Sequence, residues 1–129
     1  SLSYTPPRDE SGTLQMITDD KWFCFVIEQL LSNALKYTRT GTISIFFSQP
    51  KVLCIKDTGI GIAPQDLPRV FEKGYTGANG RTDMRASGIG LYLCRCITDM
   101  LGITLTAVSE LGKGSVFMLD LTESKIRHE

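Results

Sequence analysis

The chain has 129 residues, 42% of them hydrophobic, which suits one compact domain with a real core and is small for two. Its 14 basic and 14 acidic side chains cancel, so no global field draws it to nucleic acid or to an anionic membrane, and any polyanion has to be held locally. The longest apolar stretch, residues 22–27, falls far below the roughly 20 residues that cross a bilayer and follows no charged-then-apolar leader, so the chain as given is expected to be soluble.

Residues 1–12 hold Pro6, Pro7, several charges and Ser11-Gly12, which predicts an extended N-terminal segment. Residues 13–17 alternate weakly, the pattern of a short strand. Thr18, Asp19 and Asp20 then supply capping oxygens and negative charge for a helix start. Over residues 21–37, Phe23, Ile27, Leu30, Leu31 and Ala34 recur at helical spacing and mark a buried stripe, while Gln29, Asn33, Lys36 and Tyr37 fall on another. This helix has a core face and a polar working face.

Residues 42–48 and 51–56 are β-rich runs joined by Gln49-Pro50, an antiparallel hairpin whose second strand delivers Asp57 at its end. Residues 64–71 contain a short helical turn. Residues 72–87 show no apolar period and carry glycine at positions 74, 77 and 80, a loop long enough to be functional. Helical spacing returns through Ile89, Leu93, Ile97 and Leu101 and stops at Gly102. Two strands follow, 103–109 and 115–121, joined by Leu111-Gly112-Lys113-Gly114, and residues 122–129 form a polar tail that contains the one histidine, His128. Cys24, Cys54, Cys94 and Cys96 lie in apolar patterns without a C-x-x-C pair and read as small buried residues of a reducing compartment. Helices mixed with antiparallel strands predict a single α+β domain, a two-layer α/β sandwich with a mixed, mostly antiparallel sheet backed by helices.

Four blocks carry chemistry. Asn33 with Lys36 and Tyr37 one turn on can point an amide oxygen and an ammonium into one cavity. A neutral oxygen suits Mg²⁺, which keeps most of its waters and shares a substrate's phosphates, and Gln29 one turn earlier offers a second amide oxygen; a plain polar helix face fits the same residues. Asp57, followed by Gly59 and Gly61, places a carboxylate where an exocyclic amine could donate to it and lets backbone approach a flat base, which predicts adenine over guanine. A tight turn is the other reading. Ser87-Gly88-Ile89-Gly90, where the loop becomes a helix, offers free amides to a di- or triphosphate. Gly112-Lys113-Gly114-Ser115 is either a plain hairpin turn or a device that sets Ser115 near the base edge. Lys73, Arg81 and Arg85 lie on the long loop, able to close over phosphates or simply solvated. Neither glycine pair completes G-x-G-x-x-G, and no G-x-x-x-x-G-K-[ST] occurs, which removes the dinucleotide and P-loop readings.

The stretches E-Q-L-L-S-N-A-L-K-Y-T, D-T-G-I-G-I, V-F-E-K-G-Y-T-G, S-G-I-G-L-Y-L and G-K-G-S-V-F resemble, in order and spacing, the boxes of the catalytic ATP-binding domain of two-component sensor histidine kinases, in the superfamily shared with type II topoisomerase, heat-shock chaperone and mismatch-repair ATPases. The resemblance runs over residues 18–121 and implies a Bergerat-type ATP-binding fold that binds ATP and Mg²⁺. By matching position it implies that Asn33 ligates Mg²⁺, with Gln29 as a second candidate, that Lys36 and Tyr37 line the phosphate and sugar side, and that Asp57 holds the adenine amine. Gly59, Gly61 and Ile62 would frame the base, and Gly88, Ile89, Gly90 and Leu91 would follow the phosphates. Residues 72–87 would form a lid that brings Lys73, Tyr75, Thr76, Gly77 and Arg81 to the nucleotide.

Two departures stand out. Gln29 replaces an asparagine common in the family, and the short glycine-rich lid resembles that of small Gram-positive kinases responsive to cell-envelope antibiotics and peptides. The resemblance implies transfer of the terminal phosphoryl group of ATP to a histidine on a separate dimerisation domain, and from there to a response regulator. No stretch here resembles that histidine-bearing helix, so the chain is expected to be the cytoplasmic catalytic domain of a longer, membrane-anchored bacterial receptor, itself touching neither membrane nor nucleic acid. A serine-phosphorylating anti-sigma-type kinase on the same scaffold, and a nucleotide-sensing interaction module without transfer activity, are the alternative readings.

Overall fold

The computed structural model describes residues 10–75 and 89–124. A long helix, α1 (Glu10–Tyr37), leads into the hairpin β1 (Ile43–Gln49) and β2 (Val52–Asp57). A 3₁₀ turn (Leu67–Arg69), a second helix α2 (Gly90–Leu101) and a second hairpin, β3 (Thr104–Glu110) and β4 (Gly114–Asp120), complete the described chain. The helix is already formed at Glu10, so Glu10 to Gly12 are not extended and residues 13–17 are not a strand. A weak five-residue alternation does not compete with continuation of an established helix, because each added residue gains a hydrogen bond without a new nucleus. No helix among the described residues is long and apolar enough to cross a membrane.

The four strands form one sheet in the order β1-β2-β4-β3, antiparallel at every described pairing. The register sorts its helix-facing side into rows. Phe47, Leu53, Leu119 and Leu105 make one row; Ile45, Ile55, Phe117 and Ala107 make the next; Ile43, Asp57, Ser115 and Ser109 make the third. The central members of the first two rows are apolar and buried, and with Val26, Ile27 and Leu30 of α1 and Cys94, Ile97 and Leu101 of α2 they form the core. Each fully buried side chain of this size contributes about 1.5–3 kcal/mol. The third row breaks the pattern: Asp57 and Ser115 are polar and nearly as buried, 4% and 6% exposed. The sheet therefore runs from a hydrophobic floor to a polar end.

Both helices lie on this floor. Val26, Ile27, Leu30 and Ala34 of α1 are buried, and Phe23 and Leu31 pack partly against them. Val26 was outside the sequence-predicted stripe; it is buried because α2 covers that flank, with the Cys94 thiol against the Val26 carbonyl. The helix α2 ends as expected at Gly102, in the left-handed conformation at φ 75°, its N–H returning to the carbonyls of Thr98 and Asp99. Arg95 ties α2 to the sheet edge, donating to the Leu105 carbonyl at 2.9 Å with its guanidinium 4.3 Å from the Phe71 ring centre. All four cysteines are free; Cys54 and Cys94 are buried, but Cys24 is half-buried and Cys96 exposed. The expectation of burial fails at Cys96 because it lies two residues beyond Cys94, about 200° around the helix.

Candidate functional site

The polar end of the sheet is where the D-T-G-I-G-I turn leaves β2. Asp57 keeps one carboxylate oxygen for this turn, Oδ1 accepting the Gly59 N–H at 2.9 Å. Among the described residues no donor meets Oδ2. Around this carboxylate the backbone is stitched down on several sides. Ile60 N–H donates to the Tyr37 carbonyl at 3.1 Å, which fastens the turn to the last residue of α1. Thr58 N–H donates to the Thr42 carbonyl, and the Thr58 hydroxyl accepts the Thr42 N–H at 2.9 Å, which fastens it to the start of β1. Gly112 N–H donates to the Ile60 carbonyl at 2.9 Å, bringing the G-K-G-S turn onto the same loop.

The glycines of these blocks are needed first for the protein's own backbone. A Cβ on Gly59 would overlap the Tyr37 carbonyl, one on Gly61 the Glu110 carbonyl, and one on Gly114 the Asp57 carbonyl; Gly61 and Gly114 also hold positive φ, 78° and 123°. The D-T-G-I-G and G-K-G blocks are thus two turns pressed against each other and against the end of α1. Ser115, directly across from Asp57 in the register, is buried beside it, and its hydroxyl lies 2.8 Å from that of Ser109. Ile62 N–H donates to Ser109 Oγ at 2.7 Å. Ser109 belongs to no glycine block; only strand register brings it to this row. Thr38 Oγ1, against Gly59, is buried without a hydrogen-bond partner among the described residues.

The helix α1 links this end to the other glycine block. Tyr37 sits at the D-T-G-I-G turn, and two turns earlier the Gln29 carboxamide packs on Gly90, where a Cβ would lie 2.6 Å from Gln29 Oε1. Asn33 lies midway on the same stripe, half-buried. Among the described residues no hydrogen-bond partner meets its carboxamide. Lys36 is exposed, with its ammonium 5.9 Å from the centre of the Tyr37 ring. The helix α2 begins at Gly90, and among the described residues no side-chain oxygen caps its first-turn amides. Ile89 and Leu91 flank that start, half-buried.

The first residues of the expected lid fold onto the 3₁₀ turn. The Tyr75 hydroxyl is pushed up to about 12, by burial first and then by donating to the Asp66 carboxylate, and Arg69 stands 5.2 Å from the ring centre. Lys73 reaches towards α2, 5.9 Å from the Tyr92 ring. Thr76, Gly77, Arg81, Arg85 and Gly88 lie outside the described residues. A separate open cleft of about 520 Å³, lined by Leu67, Phe71, Arg95 and Leu105 among others, contains none of the sequence-selected site residues.

Among the described residues no cluster of three or more His, Cys, Asp or Glu side chains could hold a metal ion. The donor set that remains, a neutral amide oxygen from Asn33, fits a hard cation that arrives with phosphate oxygens and water as most of its ligands.

Residues 18–125 match the family model described as "Histidine kinase-, DNA gyrase B-, and HSP90-like ATPase". The chain belongs to this ATPase family. It is 44% identical over 105 residues to the sensor protein kinase GraS of Staphylococcus aureus strain MRSA252, and 45% identical over the same length to GraS of strain JH1. Each alignment covers 79% of this chain and 30% of the relative, so the chain spans under a third of the length of the curated relatives it matches. Solved structures share the fold: full-length ShkA in complex with AMPPNP, with a TM-score of 0.65 and 24% identity over 81% of this chain and 21% of that one, and the mycobacterial sensor histidine kinase MprB, with 0.64 and 24% over 77% and 70%. This histidine-kinase-type ATPase domain therefore has the α+β sandwich expected of it, two helices on a four-stranded sheet.

Proposed function

We propose that this ATPase domain binds Mg-ATP and donates its terminal phosphoryl group to a histidine on a separate dimerisation domain of a two-component sensor kinase. The observation that carries the reading is the span of α1. One polar stripe, Gln29 to Tyr37, touches the start of α2 at one end and the D-T-G-I-G turn at the other, with Asn33 between them. A nucleotide lying along that stripe would meet the Asp57 carboxylate with its base and the first turn of α2 with its phosphates. The similarity to GraS supports the kinase reading, and the AMPPNP complex of ShkA supports a nucleotide ligand.

In this reading Asp57 Oδ2 accepts from the adenine amine while Oδ1 holds the turn, so one carboxylate both shapes the site and reads the base. Gly59, Gly61, Ile62 and Ser115 would frame the ring, and Lys36 and Tyr37 would line the phosphate and sugar side. Gly88, Ile89, Gly90 and Leu91 would follow the phosphates, with Lys73, Tyr75, Thr76, Gly77 and Arg81 closing over them. Asn33 would hold Mg²⁺, with Gln29 as a second candidate, and the bound cation supplies charge neutralisation to the triphosphate. Transfer forms a bond from the acceptor imidazole nitrogen to the γ-phosphorus and breaks the bond from that phosphorus to the bridging oxygen of departing ADP; the domain's part is positioning. Its partners would be the histidine-bearing domain and, through it, a response regulator, with the domain on the cytoplasmic side of a membrane-anchored receptor.

The test is to mix the chain with a histidine-bearing helical domain from the same receptor and γ-labelled ATP. Acid-labile label on the histidine is the expected result. Acid-stable label on serine, or nucleotide binding without transfer, overturns it.

A further inference from the structure

The Ser109 hydroxyl sits where three elements meet, with one proton to give and two lone pairs to receive. It accepts the Ile62 N–H at 2.7 Å and donates to the Gly114 carbonyl at 2.9 Å. The Gly114 carbonyl can only accept, so the one arrangement that uses both contacts has Ser109 donating to it and Ser115 donating to Ser109 across the 2.8 Å contact. Ser109 is left saturated, with one bond given and two received. In that arrangement Ser115 has given its only proton away, and its oxygen keeps a free acceptor lone pair in the row it shares with Asp57.

We propose that Ser109 is a positioning residue for base selection, which fixes the Gly61–Ile62 backbone and holds the Ser115 hydroxyl turned away, so that Ser115 Oγ and Asp57 Oδ2 form a pair of acceptors for the two N–H groups of a 6-amino purine. This rests on the proposed nucleotide site. Neighbours across an antiparallel pair stand about 5 Å apart at Cα, a span over which two oxygens can converge on one exocyclic amine. Without the Ser109 hydroxyl, two things change together. Ile62 N–H loses its partner, and the Ser115 hydroxyl is released to swing its proton towards Asp57 Oδ2, consuming one acceptor and masking the other. Affinity for the amine is lost although neither Asp57 nor Ser115 has been altered.

The experiment measures, by calorimetry on the 129-residue chain, the affinity for Mg-ATP against that for the Mg complex of purine riboside triphosphate, which lacks the 6-amino group, and follows Ile62 amide exchange by NMR. The wild type is expected to prefer ATP by tenfold or more, and Ser109→Ala to reduce that preference by about fivefold, the size of one lost hydrogen bond, with faster Ile62 exchange. Ser109→Thr, which keeps the hydroxyl, restores both. Ser115→Ala reduces the preference while Ile62 exchange stays at the wild-type rate, a separation that a merely structural Ser109 would not produce. A wild-type preference in Ser109→Ala overturns the proposal, as does one in Ser115→Ala should Ser109→Ala fail to fold. A wild-type chain that binds neither nucleotide overturns the nucleotide site itself.

Discussion

At the base end of the proposed site, Asp57 accepts from Gly59, Ile60 reaches Tyr37, Thr58 pairs with Thr42, Gly112 caps Ile60 and Ser109 receives Ile62. At the phosphate end, among the described residues, the Asn33 carboxamide meets no hydrogen-bond partner, Lys36 is exposed, and no side chain caps the start of α2. One end is a backbone lattice and the other a set of side chains on two helices. The difference follows from what each would recognise. A flat base is read through the angles of a few neutral hydrogen bonds, which need acceptors held in place beforehand. Phosphates are read through charge and many equivalent oxygens, which mobile groups can follow.

The largest effect is expected where the lattice has no slack. Gly59→Ala drives a methyl into the Tyr37 carbonyl, backbone against backbone, and is predicted to cost on the order of 3 kcal/mol in denaturant unfolding. A loss below about 1 kcal/mol would mean that the base end is softer than described. Next comes Asp57→Asn, which keeps an oxygen for the Gly59 N–H and can therefore preserve the turn. It replaces the free acceptor by an amide donor facing the adenine amine, for an expected loss of about 1.5–3 kcal/mol in ATP affinity. Unchanged calorimetric affinity with an intact fold would remove Asp57 from base recognition.

How far these features were legible depends on the range of the signal. Local period was enough for the Phe23-to-Ala34 stripe, for the hairpin that delivers Asp57 and for the helix stop at Gly102. It failed at residues 10–17, where a few weakly alternating residues in fact continue a helix, and at Val26, buried because a second helix lies beside the first. Asp57 and Ser115 were singled out because each sits beside a glycine block. Ser109 was not, because its place depends on pairing opposite Ser115, and nothing in the five residues between them states that register. Gly59 and Gly61 were read as clearance for a ligand and the G-K-G-S glycines as a hairpin turn or a device that sets Ser115, whereas Gly59, Gly61 and Gly114 are already required by neighbouring carbonyls.

A smaller and more specific effect is predicted at the phosphate end. Asn33→Ala removes an amide that bonds to no described residue, so unfolding free energy is expected to change by less than about 1 kcal/mol. The loss should fall on Mg²⁺ dependence instead: ATP affinity with and without Mg²⁺ becomes equal in calorimetry. A mutant that keeps the wild-type ratio would exclude Asn33 as the metal's protein ligand.

The smallest stability change is expected for Gly90→Ala, and it is the substitution that contrasts most directly with Gly59→Ala. The added methyl meets only Gln29 Oε1, at 2.6 Å, the far end of a flexible side chain rather than a carbonyl of the main chain. Gln29 is half-buried on the working face of α1, so it can turn its carboxamide outward, and alanine at the first turn of α2 recovers up to about 1 kcal/mol of helix propensity. The two terms nearly cancel, and unfolding should stay within about 0.5 kcal/mol of wild type. Function is where the change would register, because the displaced carboxamide moves towards the stripe shared with Asn33. If Gln29 contributes an amide oxygen to the cation, Gly90→Ala weakens Mg²⁺-dependent ATP binding and leaves Mg²⁺-free binding alone. If Gln29 serves only to pack α1 against α2, both are unchanged. A stability loss as large as that of Gly59→Ala would show that the phosphate end is as rigid as the base end, and the contrast between them would fall.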